Sequence, residues 1–152
     1  MKKVFVLITG FTPFLIGYGL NLIVLKSGSE VAFVFDIYTI MFFLFWGLMG
    51  FVFSKFTSSN VYTLVICHLP ALLVLLLILI QELINKQYWH NYLGVVTQFF
   101  YLPTIRISFK ITGLLSMHKM WETYIISFLL MIAVFYLGGF IRNKVDMAKS
   151  RL

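Results

Sequence analysis

The chain has 152 residues, of which 61% are hydrophobic and 11% charged, against roughly 25% charged in an ordinary soluble domain. Twelve Lys and Arg against five Asp and Glu give a net charge of +7. This composition excludes a water-soluble globular domain. The basic residues sit at the ends of apolar stretches and form no polar face, so they point to lipid headgroups and not to nucleic acid. The single Cys67 excludes an intrachain disulfide and a multi-cysteine metal site.

Residues 4–25 form the first predicted span. The start, Met1-Lys2-Lys3 before an apolar run, resembles a secretory signal, but the apolar stretch runs on to Leu25 without a small-residue cleavage site. An uncleaved first helix is expected. Pro13 lacks an N–H and should kink it. Gly10 and Gly17 lie a heptad apart, on a face where another backbone can approach.

Lys26 to Glu30 reads as a turn, and residues 31–53 as the second span. Asp36 is the one acid well inside any span. Counted outward from the turn, Asn21 and Asp36 lie at similar depth, so an Asn21 amide could solvate the Asp36 carboxylate. The third span, residues 61–80, has no charged side chain between Lys55 and Glu82 and is long enough to cross a bilayer core of about 30 Å. It carries His68 and Pro70. His68 reads as a structural imidazole bonded to a nearby carbonyl or, alternatively, as a proton relay.

Residues 81–120 are expected to form an outer segment, partly embedded in the membrane. Between Thr104 and Thr112 polar and apolar residues alternate strictly, and period two favours a strand with Arg106, Ser108 and Lys110 on one face. A helical stripe through Ile107, Ile111, Leu114 and Leu115 can also be drawn. Residues 121–141 form the last span, followed by a basic tail over 142–152.

Four spans with both termini inside place Lys2, Lys3, Lys55, Arg142, Lys144, Lys149 and Arg151 on the inner side. A fifth span through residues 92–117 would divide the positive charges evenly, so the charge bias favours four. The expected fold is all-α: one membrane domain, an antiparallel bundle of four transmembrane helices with an amphipathic segment between the third and fourth. The plasma membrane of a bacterium is the expected location.

An ionisable group within a span marks a functional hypothesis. Asn21, Asp36, Glu82, His90, Arg106 and Lys110 form the candidate polar pocket, with an Asp36–Arg106 ion pair as its centre. No cofactor or metal is expected, since Glu82, His90 and His118 lack a metal-ligand spacing. No catalytic motif is present, and Ser127 has no base at matching depth. The leading functional reading is a non-catalytic membrane protein acting through protein or lipid contacts, as an accessory subunit, an immunity-type protein or an envelope regulator. Its partners would be the bilayer, a membrane protein or a second copy of the chain. A homo-oligomeric transporter or channel using Asp36 and Asn21 is the alternative. An enzyme acting on a lipid-linked substrate at the outer leaflet is the third.

Overall fold

The computed structural model describes residues 2–27, 31–54, 60–86, 92–117 and 119–150. These form α1 (Lys2–Thr9), α2 (Thr12–Ser27), α3 (Val31–Phe53), α4 (Asn60–Leu79), α5 (Tyr92–Leu114) and α6 (Met120–Lys149). A π-helical segment, Ile80–Asn85, extends α4. Four stretches are long and apolar enough to cross a membrane: Val4–Lys26, Phe35–Phe53, Val61–Ile84 and Met120–Lys149. The chain is therefore an all-helical protein built for multiple membrane crossings.

The first span is broken between α1 and α2, one turn before Pro13. Proline cannot supply the N–H that the Thr9 carbonyl would take, and its ring crowds that carbonyl. The chain tightens instead, with Phe11 N bonding Ile8 O at 3.0 Å and Phe14 N bonding Phe11 O at 3.1 Å.

The expected strand over 104–112 is not formed: these residues lie inside α5, and no strand occurs among the described residues. The alternating pattern contains a second period. Thr104, Ser108 and Thr112 are four apart, and so are Arg106 and Lys110, so a helix sorts them onto two faces. A helix also satisfies its own backbone, which a lone strand in lipid cannot do.

The buried core contains Trp46, Tyr101, Phe53, Phe100, Leu20, Ile78 and Met131. Much of the outward surface is large and apolar, as a lipid-facing surface requires. Side-chain contacts fix how the helices lie together. Trp46 meets Phe135, and Arg142 lies 5.0 Å over the Phe51 ring, so α3 and α6 run in the same direction. Ser108 meets Ser127 and Thr112 meets Thr123, so α5 and α6 run in opposite directions there. Phe5 packs edge-on against Phe53, which brings the start of α1 to the end of α3. Arg142 lies at that same end. At the opposite end the Trp121 backbone bonds the Glu82 carboxylate. The chain thus leaves α4 and enters α6 at one end of the molecule. Helix α5 comes between them in the chain.

Four glycines, Gly10, Gly17, Gly50 and Gly138, set the closest approaches. A Cβ at Gly17 would overlap the Phe99 carbonyl and fall 3.2 Å from Pro103 Cδ. At Gly10 it would overlap the Cys67 carbonyl and fall 3.1 Å from Pro70 Cδ. Gly10 and Gly17 therefore each seat against a proline-bearing turn of another helix. Pro103 leaves the Phe99 carbonyl without its helical donor, and Gly17 lets a backbone come close to it. Gly138 meets the Gly47 carbonyl in the same manner, joining α6 to α3.

Helix α5 ends in a turn whose left-handed position is Ser116, with φ 55°. Met117 N returns to Thr112 O at 2.9 Å, closing the helix end. An L-residue in this conformation costs about 1 kcal/mol, which glycine avoids. Ser116→Gly should accordingly raise stability by about that amount, read as a higher melting temperature in detergent.

Candidate functional site

The candidate site is the polar seam along α5, where the sequence places hydroxyl groups and cations on different faces of one helix. On the face towards α3, Asp36 Oδ1 accepts Arg106 Nε at 2.9 Å and Lys110 Nζ at 3.3 Å. A spacing of four brings the two cations to one side of α5 and one level of α3. Asp36, Arg106 and Lys110 of the expected pocket are thus together. Asn21 is half-buried on α2, while Asp36 bonds α5. Glu82 sits on the α6 side, held by the Trp121 backbone and close to Glu122. His90 and His118 fall outside the described residues.

The inward face of α5 carries Thr97, Tyr101, Thr104, Ser108 and Thr112, all buried. Their spacings of four, three, four and four define one helical stripe. Each hydroxyl of this stripe has an acceptor. Thr97 Oγ1 donates to Gly94 O at 3.0 Å, Thr104 Oγ1 to Tyr101 O at 3.0 Å and Thr112 Oγ1 to Phe109 O at 3.1 Å. The Tyr101 hydroxyl reaches across to Ala71 O on α4 at 2.5 Å. Ser127 of α6 donates to Ser108 at 2.7 Å, and Ser108 donates to Thr104 O at 3.0 Å. The Ser127–Ser108 chain therefore ends in a carbonyl, so its protons point to an acceptor and not to a base. This stripe was missed because the alternating reading placed Ser108 beside Arg106 and Lys110. The recurring spacing of four in Thr104, Ser108 and Thr112 was the signal that identifies it.

His68 is held away from α5, between α3 and α6. Trp46 Nε1 bonds His68 Nε2 at 3.2 Å, and His68 Nδ1 lies 2.9 Å from Leu64 O. An indole nitrogen can only donate, so Nε2 accepts and the proton sits on Nδ1, donated to Leu64. Both ring nitrogens are thereby used in one neutral tautomer. The ring also packs edge-on against Trp46 at 5.6 Å and Phe135 at 5.1 Å. This geometry fits the structural role for His68 better than the relay.

At the far end of α4 the π segment holds two buried acceptors, Gln81 Oε1 and Glu82 Oε2, without a hydrogen-bond partner. Among the described residues, no group of three or more His, Cys, Asp or Glu is placed to hold a metal ion. No protein-family model matches the chain, and neither a curated protein nor a solved structure is significantly similar to it.

Proposed function

We propose that the chain is a polytopic membrane protein that acts by contact, with another membrane protein or with lipid, and does not turn over a substrate. The observation that carries this reading is the use made of Asp36. Its carboxylate oxygen is committed to Arg106 and Lys110, and so ties α5 to α3. His68 and the α5 hydroxyls are likewise committed to partners within the chain. Polar groups used in this way hold helices together. What faces outward is an apolar belt and a cationic patch.

In this reading the helices cross the bilayer four times, neighbours in sequence running in opposite directions. The segment between α4 and α6 dips in and returns on one side. Both termini lie on the cytoplasmic side, where Arg142, Lys144 and Lys149 meet the positive-inside bias. A bacterial plasma membrane is the proposed location.

Charge reversal tests the reading. The chain carrying Arg106→Glu and Lys110→Glu, with Asp36→Lys to restore internal attraction, should insert and fold but lose a partner that co-purifies with the unaltered chain. Recovery of the same partner would overturn the proposal. So would ion flux in proteoliposomes that disappears on Asp36→Asn while the protein still inserts.

A further inference from the structure

The end of α4 holds two hydrogen-bond acceptors without donors. Gln81 is 6% exposed, and its Oε1 has no partner. Glu82 follows it in the same π-helical segment, Ile80–Asn85, and its Oε2 is also buried without a partner. A donor does reach the Glu82 carboxylate from α6, the Trp121 N–H, and still leaves Oε2 unserved. The wide turn of a π segment is rare and recurs at functional sites.

The surroundings narrow what completes the pair. On α6, Glu122 lies close to Glu82, and its own carboxylate takes the Lys119 N–H at 3.0 Å. The Lys119 ammonium sits over the Trp121 ring, 5.9 Å from its centre. On the π segment's own side, Lys86 is exposed where the segment ends. An ionised Glu82 would therefore hold a buried, unbonded oxygen beside a second carboxylate. An ionised carboxylate and an amide oxygen are both acceptors, so neither serves the other. A carboxylic acid is a donor through its O–H, and Gln81 Oε1 is an acceptor one residue away. Both oxygens are buried, and a proton is the addition that needs no room.

We infer that Gln81 and Glu82 form a proton-binding site: Glu82 is held as the neutral acid, accepting from the Trp121 N–H and donating through Oε2 to Gln81 Oε1. One proton supplies both missing partners and removes a charge beside Glu122. It also sets the joint between the two helices. With the proton in place, the acid ties the end of α4 to the start of α6. When it leaves, Oε2 keeps a buried charge without a donor, and the joint loosens. The site lies apart from the α5 seam and does not depend on the contact reading above.

The test is infrared difference spectroscopy of the full chain in detergent during a pH titration, with thermal melting alongside. At neutral pH the unaltered chain should show the C=O stretch of a protonated carboxylic acid, shifted by carbon-13 labelling of its glutamates. Glu82→Gln should remove the band, while Glu30→Gln and Glu122→Gln should keep it. Loss in either of the last two would place the proton elsewhere and overturn the inference, even if Glu82→Gln does not fold. A glutamine amide reproduces the neutral acid, with an oxygen for Trp121 and an N–H for Gln81. Glu82→Gln should accordingly melt with the unaltered chain at mildly acidic pH. As the pH rises, the unaltered chain should fall about 4 °C below the variant by the point where the band disappears, the effect of one buried acceptor left without a donor. No acid band at neutral pH, with Glu82→Gln the less stable protein, would show an ionised carboxylate served by a turned Gln81 amide and overturn the inference. A rise in melting temperature with millimolar calcium that Glu82→Gln abolishes would give the site to a metal cation and overturn it too.

Discussion

Gly17→Leu should abolish the folded protein, while Gly19→Ala, two residues along the same helix, should leave it intact or slightly more stable. The difference is steric. Gly17 rests on the Phe99 carbonyl with Pro103 beside it, and a side chain there must displace backbone. Nothing lies within 4 Å of the Cβ position at Gly19. Overpacking in a close-packed interior costs about 1–3 kcal/mol when side chains can yield. Here the obstacle is main chain on a proline-stiffened turn, so the cost should reach about 3 kcal/mol or more. In lipid, helix association depends on close packing and on hydrogen bonds between helices, so a lost approach is not compensated by burial. Gly19→Ala replaces a poor helix former by a good one and should gain up to about 1 kcal/mol. Monodispersity and thermal melting in detergent will distinguish the two. A Gly17→Leu protein that melts with the unaltered chain would show that α2 and α5 do not meet at Phe99.

Trp46→Ala should be the most damaging single truncation in the core. The side chain is fully buried, stacks on Phe42 at 5.7 Å, meets Phe135 at 5.8 Å and bonds His68. Removing a buried tryptophan typically costs about 3–5 kcal/mol. The hydrogen bond can be separated from the packing. Trp46→Phe leaves the His68 nitrogen without its donor, and His68→Phe leaves the indole without its acceptor. Each single change should cost about 1–3 kcal/mol through the unsatisfied partner. The double variant, with both polar atoms gone, should cost less than the sum. Additive costs in chemical denaturation would show that the two side chains do not bond.

The sequence carried plainly the four helices long and apolar enough to cross a membrane. Their apolar runs leave no polar face, and only lipid or burial accepts such a surface. The break ahead of Pro13 was legible for the same kind of reason, since one missing N–H has one location. Helix α5 was legible only as the alternative to a strand. Its Thr104 to Thr112 stretch obeys two periods at once, and period two is the one the eye meets first. What decides between them is outside the stretch: Asp36 on α3 needs cations, and on α6 Ser127 donates to Ser108 while Thr123 meets Thr112. The Asp36–Arg106 contact could be named beforehand because a carboxylate within a span demands a counter-charge. Lys110 was read on the same face as Arg106, but the strand period put Ser108 there as well. Gln81 and the π segment gave no sequence signal, because neighbouring residues in α4 look equally helical.

The place of α5 between α4 and α6 in the chain also fixes an order of synthesis and closure. Residues 92–114 leave the ribosome before Thr123 and Ser127 exist to receive them, and α5 is not among the helices apolar enough to settle in lipid unaided. Earlier helices already offer α5 a seat, at Gly17, Asp36 and the Ala71 carbonyl, so the final helix acts as a keystone that covers the side still bearing Ser108 and Thr112.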